Sequence, residues 1–295
     1  MKRSLLALGT ILVLPLVCAE IAPAQLYEGY LDVLTCKVKP EKRADFDAVA
    51  KKMADANRRY KGDTFLTSQI EYGEQNTVIF TSGRENYAAI EKGMAAFEGA
   101  LKEAYGPAAA QLGKEFNACV ISSQAEIRKR RGDLCSNLPT DMPAVLKVVG
   151  SSRWVRTAAF HVRTGHIDDF EAQIKTVKQG IERSNPSGPM ILVSQAVAGN
   201  RGSVFYVTTF RTSLADFDKV SPPLKEVLGM EAYQQYQKSN SENVQLIETT
   251  LSRYLPELSN PPKEVADASL DFWNPKPAVM KKPAAKPAGS PKSGD

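Results

Sequence analysis

The 295-residue chain has only two histidines, His161 and His166. So few histidines exclude multi-histidine metal sites and most zinc hydrolase motifs, so no metal site is predicted. The sequence also lacks a G-x-G-x-x-G motif and a phosphate-binding loop, and no Ser-His-Asp set can be assembled from its spacing. Any function must therefore arise without the common nucleotide, metal or serine-hydrolase motifs.

The chain also has little excess charge of either sign. Of its formal net charge of +5, residues 1–24 contribute +1 and residues 261–295 contribute +2, which leaves +2 for the rest. A body this close to neutral is not an electrostatic nucleic-acid binder, so no nucleic-acid partner is predicted. The basic run Arg128–Arg131 is typical of a solvated strand end, and a docking patch for an anionic partner is the alternative.

Long hydrophobic runs are absent except at the N-terminus. Lys2 and Arg3 precede an apolar stretch over Leu5–Val17, and the small residues of Ala22–Ala24 follow. This pattern predicts a cleaved signal peptide over residues 1–24 and export to the periplasm or the extracellular space. The alternative, a retained anchor, is disfavoured because the run is shorter than the roughly 20 residues that span a bilayer. No membrane span is predicted for the mature chain.

The C-terminal segment has few apolar residues. Residues 261–295 contain seven prolines in 35 positions, together with many alanines and lysines. Such a composition cannot bury enough apolar surface to offset the ordering entropy, so a disordered tail is predicted. Phe272 and Trp273 are the exception and could dock on the body as a latch or remain loose. The tail is a candidate site for a protein partner.

The middle of the chain is a tandem repeat. Three segments recur in the same order at a nearly constant offset of 123–126 residues. This period is far longer than that of solenoid repeats and indicates a duplicated domain, with repeats at 28–134 and 153–258 and a linker at 135–152. The matched pairs are Cys36–Phe46 with Phe160–Phe170, Ser68-Gln69 with Ser194-Gln195, and Leu101–Gly106 with Leu224–Gly229.

Each copy has the same predicted order of elements. The helix after the first strand carries apolar residues at helical spacing in both copies, from Phe46 to Met53 and from Phe170 to Ile181. Glycine-containing turns then join two strands as a hairpin. The order βαββαβ is that of a ferredoxin-like unit, which leaves one sheet face bare. We predict an α+β fold in which the two repeats pack sheet to sheet within one chain. A monomer is therefore expected, although exposed edges could support dimerisation.

The first strand and helix carry a resemblance. The pattern Val38-Lys39-Pro40 followed by Phe46 and a helix resembles the dimeric α/β-barrel superfamily, in its antibiotic-biosynthesis-monooxygenase-like and NIPSNAP-like members. The resemblance covers about residues 30–258 and implies a fused barrel within one chain. Members of that superfamily include cofactor-free monooxygenases, haem proteins, isomerases and ligand-binding domains. The resemblance therefore implies a fold without choosing a function.

His161 is the main candidate for chemistry. By strand alternation, His161 and Arg163 share a face opposite Phe160 and Val162. Near a cavity, the pair could polarise or deprotonate a small substrate. The resemblance also allows His161 to be the sole axial ligand of a haem. The alternative is a partly exposed strand histidine without a function, and His166 is expected at the surface.

Candidate ligand-binding residues lie in the strands. One residue of each Ser-Gln pair, Ser68-Gln69 and Ser194-Gln195, must point away from the helices, and duplicated polar groups there could bind a ligand. Packing and polar satisfaction are the alternative. Trp154, Tyr72 and Tyr206 could line an apolar pocket, although aromatic residues in strands mostly belong to a core.

Three cysteines remain after signal cleavage: Cys36, Cys119 and Cys135. Export permits disulfides, and the first and last strands of a ferredoxin-like sheet are antiparallel neighbours. Cys36 and Cys119 would lie at the same end of those strands, so a Cys36–Cys119 disulfide is predicted, with three free thiols as the alternative. Cys119 and Cys135 would be separated by a whole strand, too far apart for a disulfide.

These observations favour an exported small-molecule-binding barrel with no cofactor and no complete catalytic set. Three alternatives remain open. The first is a cofactor-independent monooxygenase or isomerase that uses His161. The second is a haem-binding barrel that uses the same residue. The third is a structural interaction module whose barrel is filled by side chains.

Overall fold

The computed structural model describes residues 27–219 and 222–274. The predicted signal peptide and the last part of the predicted tail, residues 275–295, lie outside the described residues. Among the helices of the described ranges, none is both long enough and apolar enough to cross a membrane.

Eight antiparallel strands form a closed barrel in the order β1-β3-β2-β8-β5-β7-β6-β4. Each half of the chain contributes four neighbouring strands, and the halves meet where β2 pairs with β8 and where β4 pairs with β6. The predicted α+β class and the barrel formed by the two halves within one chain are confirmed. The strands are β1 Tyr30–Val38, β2 Leu66–Tyr72, β3 Thr77–Arg84, β4 Val120–Arg130, β5 Trp154–Val162, β6 Ile191–Ala198, β7 Ser203–Arg211 and β8 Val244–Tyr254.

The α-helices are α1 Arg43–Arg59, α2 Tyr87–Tyr105, α3 Ala109–Ala118, α4 Met142–Ser151, α5 Ile167–Ser184, α6 Leu224–Leu228, α7 Met230–Asn243, α8 Lys263–Asp267 and α9 Leu270–Trp273. Local sequence sets several of their ends. Asn86 caps α2 by accepting a hydrogen bond from the backbone N–H of Ala89. Gly106, at a φ of +54°, and Pro107 then separate α2 from α3.

Apolar side chains between the helices and the outer face of the barrel form the core. The ring of Phe46 in α1 lies 5.0 Å from that of Phe116 in α3, and the ring of Phe170 in α5 lies 5.0 Å from that of Phe205 in β7. The helical apolar faces predicted from Phe46 and Phe170 are therefore the buried ones, because both side chains are fully buried. This packing leaves the opposite face of every strand to point into the barrel.

The predicted Cys36–Cys119 disulfide is not formed in the structure. Both cysteines lie in the same buried apolar cluster, as the strand pairing required, but each is a free thiol, and so is Cys135. The Sγ of Cys119 contacts the backbone carbonyl of Glu115 at 3.3 Å, within its own turn of chain. The two cysteines therefore serve as small buried apolar residues here.

The start of the predicted tail is packed on the body. Residues 263–273 form α8 and α9, which corrects the expectation of disorder for this part of the segment. Trp273 is fully buried, donates a hydrogen bond from Nε1 to the carbonyl of Gly150 at 2.7 Å, and lies 5.3 Å from the ring of Tyr254. Of the two alternatives for Trp273, the docked one is observed. Val265 and Trp273 are both fully buried and supply enough apolar contact to hold this segment, although its average composition is polar.

Candidate functional site: the barrel lumen

The inward faces of the strands surround a cavity of about 1240 Å³. Alternate residues of each strand line it, as the two-residue period of a strand requires. On β5, for example, the lining residues are Val155, Thr157, Ala159 and His161. Most of the lining from the strands consists of small polar and aliphatic side chains, which are too short to fill a barrel of eight strands.

The two ends of the lumen differ. At the end where β1 and β5 begin, apolar residues of α4 and α8, including Met142, Leu146 and Val265, close much of the opening. At the other end, Glu74 and Glu248 line the cavity while remaining exposed. The lumen therefore has one end covered by apolar side chains of α4 and α8 and a polar mouth opposite.

Charge is concentrated on one wall. The lining residues of β4 are Gln124, Glu126, Arg128 and Arg130, whereas those of β8, on the opposite side of the barrel, include Glu248, Thr250, Ser252 and Tyr254. In the interior of the lumen, β4 therefore contributes a carboxylate and two guanidinium groups, while β8 contributes hydroxyl groups.

Glu126 is the centre of a buried hydrogen-bond network. It is 5% exposed, and its carboxylate accepts hydrogen bonds from Tyr206 Oη at 3.0 Å and from Asn200 Nδ2 at 3.1 Å. Arg128 forms an ion pair with the same carboxylate at 3.0 Å and stacks 3.5 Å from the centre of the Tyr206 ring. Burial raises the pKa of Tyr206 well above its ordinary value, so its hydroxyl remains the donor. The network neutralises Arg128 and fixes the β4 wall against β7.

Arg130 lies next along the same wall and has no such partner. Among the described residues, no carboxylate forms an ion pair with its guanidinium, and its buried Nε has no acceptor. Its Nη2 donates to the backbone carbonyl of Arg84 at 3.2 Å, and the guanidinium lies 5.2 Å from the Tyr27 ring. Burial lowers the pKa of Arg130 from its ordinary value. A half-buried cation without an ion-pair partner is costly, so this position is chemically unusual.

Four of the predicted site residues line the lumen: Ser68, Ser194, Tyr206 and His161. Ser68 and Ser194 occupy corresponding positions in the two halves. In the first hairpin Ser68 of β2 pairs with Ile79 of β3, and in the second hairpin Ser194 of β6 pairs with Tyr206 of β7. The prediction that one residue of each Ser-Gln pair faces the interior therefore holds for the serines.

Five other candidates lie outside the lumen: Gln69, Gln195, Tyr72, Trp154 and Arg163. Strand alternation turns both glutamines outward, where Gln195 accepts a hydrogen bond from Arg131 at 2.8 Å. Tyr72 is 62% exposed at the end of β2. Arg163 follows the last residue of β5 and is exposed, so it does not continue the face of His161. The predicted His161–Arg163 pair is thus not assembled.

His161 lies at the polar mouth. Its Nε2 is 2.8 Å from Oε2 of Glu248, a residue on the neighbouring strand β8. His166 is elsewhere, outside the barrel, where its Nδ1 lies 3.1 Å from Oδ1 of Asn243. The Glu248 carboxylate engages only Nε2 of His161, and a carboxylate on the second nitrogen is common for metal-bound histidines. A haem, if bound, would therefore be held by Nδ1 of His161.

Sequence reasoning misses the charged wall. The expectation of a solvated strand end over Arg128–Arg131 is wrong for Arg128 and Arg130, which line the lumen. Lys129 between them is exposed on the outer face, and Arg131 is paired with Asp133 and Glu171. The available signal is the two-residue spacing of Glu126, Arg128 and Arg130, which places three charges on one face of a strand.

No protein-family model matches the sequence, and no curated protein matches it. Similar solved structures include a proposed monooxygenase from Lactobacillus acidophilus NCFM, with 10% identity over 76% of this chain and 93% of that chain, and a TM-score of 0.46. An anthrone oxidase-like protein has 10% identity, coverages of 79% and 93%, and a TM-score of 0.47. A haem-binding protein from Thermus thermophilus has 12% identity, coverages of 79% and 93%, and a TM-score of 0.44. Because these similarities are low, the fold class rests on the strand order itself.

Proposed function

We propose that the barrel binds a small organic molecule in its lumen. The cavity itself carries this proposal, because a space of about 1240 Å³ is slightly larger than the roughly 300–1,000 Å³ of typical ligand sites. Its lining combines an apolar end with a few convergent polar groups, which is the usual composition of such sites.

The proposed binding protein is exported and acts outside the cytoplasm. The predicted signal peptide over residues 1–24 supports export. We further propose that the chain arose by duplication of a ferredoxin-like unit of the dimeric α/β-barrel superfamily, in its antibiotic-biosynthesis-monooxygenase-like or NIPSNAP-like branch. The identical order of elements in the two halves and the corresponding positions of Ser68 and Ser194 support this origin.

Binding is tested with a neutral fluorescent probe, N-phenyl-1-naphthylamine, whose emission rises in apolar surroundings. A double variant with Ser68→Trp and Thr157→Trp adds two large side chains to the lumen lining. We expect the wild-type protein to bind the probe and the double variant to bind it at least about tenfold more weakly, since the added rings occupy the space that a ligand needs.

The matched control is the double variant with Lys129→Trp and Arg156→Trp. Both residues are exposed and adjoin lumen-facing positions of their strands, so the control adds the same two rings outside the barrel. Equal loss of binding in the two double variants, or no binding by the wild-type protein, would contradict the proposal.

A catalytic function is the second candidate, and the contact between His161 and Glu248 favours it. A carboxylate on one imidazole nitrogen fixes the tautomer and orients the ring, which leaves Nδ1 to exchange a proton with a substrate at the mouth. A cofactor-independent monooxygenase or isomerase would use this pair. Turnover that survives His161→Asn unchanged would exclude it.

A further inference from the structure

We propose that the ligand of the lumen is an amphipathic organic monocarboxylate whose carboxylate binds Arg130. This inference rests on the proposed binding function and adds the chemical class of the ligand. The observations that carry it are the charge balance of the lumen, the fixed position of the Arg130 guanidinium and the apolar surface beside it.

The charge balance leaves one positive charge in the interior of the lumen. Arg128 is neutralised by Glu126 at 3.0 Å. The guanidinium of Arg84 lies on the outer face of β3, where both of its terminal nitrogens contact Asp63 at 2.6 Å. Of the three arginines, Arg130 is the one without an ion pair within the described residues, and its buried Nε lacks an acceptor, as do those of Arg84 and Arg128. A single anionic group would match this charge, and a guanidinium binds a carboxylate through paired hydrogen bonds.

The position of Arg130 is fixed before any ligand binds. Its backbone N–H donates to the carbonyl of Gly29 at 2.8 Å, and its Nη2 donates to the carbonyl of Arg84. Gly29 has a φ of +99°, and a Cβ at this residue would lie 2.4 Å from the backbone carbonyl oxygen of Arg84, which accepts the hydrogen bond from Arg130 Nη2. A glycine is therefore required beside the carbonyl that holds the guanidinium. Fixing the group in advance reduces the entropy that binding must otherwise overcome.

The surroundings of Arg130 favour an apolar ligand body. Tyr27, Leu192, Leu146 and Val265 line the same end of the lumen. Two carboxylates, Glu28 and Glu85, also line this end, and both are exposed to solvent, where salt screens their charge. Glu85 favours the charged form of Arg130 but forms no ion pair with it among the described residues. A dianion would exceed the one uncompensated charge, so a monocarboxylate with an apolar chain or ring fits best.

The test compares three ligands of equal chain length by isothermal titration calorimetry: octanoate, octan-1-ol and octylammonium. We expect the wild-type protein to bind octanoate about tenfold or more tightly than octan-1-ol, because hydrogen bonds to a charged group are the strong ones. Octylammonium should bind more weakly than octan-1-ol.

Arg130→Gln should bring the affinity for octanoate down to that for octan-1-ol while changing octan-1-ol binding less than about twofold. Arg130→Lys keeps the charge and should retain part of the preference, which guards against a variant that fails to fold. Lys129→Gln is the matched control, since it removes one positive charge from the outer face of the same strand and should leave the preference intact.

Equal binding of octanoate and octan-1-ol by the wild-type protein would overturn the carboxylate assignment and leave the binding function standing. The same conclusion follows if Lys129→Gln abolishes the preference as fully as Arg130→Gln does. Failure of all three ligands to bind the wild-type protein would overturn the proposed function together with the assignment.

Discussion

Replacement of Trp273 by alanine tests how the C-terminal helices are held on the barrel. The indole is fully buried, with the Tyr254 ring 5.3 Å away, the Phe272 ring 4.9 Å away and a hydrogen bond to the Gly150 carbonyl. Truncation of a buried tryptophan to alanine typically costs about 3–5 kcal/mol. The substitution also removes the hydrogen bond to the buried Gly150 carbonyl, so the expected loss of stability lies at the upper end of that range.

Equilibrium unfolding in urea, with thermal unfolding beside it, measures the change. For a protein of this size, a loss of about 3–5 kcal/mol should lower the melting temperature by about 2–4 °C per kcal/mol. Leu270→Ala is the control, because Leu270 lies in the same short helix but is 59% exposed, and it should change stability by less than about 0.5 kcal/mol. A loss below about 1 kcal/mol for Trp273→Ala would refute the conclusion that this helix is a packed part of the fold.

Five further predictions concern the interior, one helix cap and the cysteines. Glu126→Ala should cost about 3–5 kcal/mol in urea unfolding, because it leaves a guanidinium and two polar side chains without their acceptor, and a cost below about 1 kcal/mol would contradict the network. Asn86→Ala should cost about 1 kcal/mol by removing the cap of α2, whereas an exposed mid-helix Lys92→Ala should be nearly neutral. Burial raises the pKa of Cys36 from 9.0 to about 11 and that of Cys135 to about 12, so Ellman's reagent at about pH 8 should label neither of these thiols in the native protein. The pKa of Cys36 is higher in the folded protein than in the unfolded chain. The contribution of its protonated thiol to the free energy of unfolding is therefore complete below pH 9.0 and is lost as the pH rises through about 11. A chain of residues 25–295, unfolded without reductant, should show three free thiols. A count of one free thiol would instead support the predicted Cys36–Cys119 disulfide.

Much of the fold follows from the sequence because its signals are local and periodic. The helical spacing that begins at Phe46 and at Phe170, the break at Gly106-Pro107 and the hairpin turns each predict an element that the structure contains. The internal similarity then relates the halves, and the bare sheet faces require burial. Closure into one barrel needs only that two such sheets meet edge to edge.

The site is harder to predict because it depends on which face of each strand points inward. Alternation places Ser68 and Ser194 correctly but does not say where a strand ends, so it assigns Arg163 to a face that β5 does not reach. The Arg130 position depends on pairing between distant segments, including its contacts with Gly29 and Arg84, which no local pattern records. Composition likewise does not predict that the segment around Trp273 is ordered, because one buried aromatic residue can anchor a segment that is otherwise polar.

A high-resolution crystal structure of residues 25–295 tests the open lumen most directly. We expect a continuous space between the β4 and β8 walls that contains ordered water or an organic molecule retained through purification, with density adjoining the Arg130 guanidinium. A lumen closed by its own side chains, with no continuous space left, would contradict small-molecule binding and favour a structural interaction module.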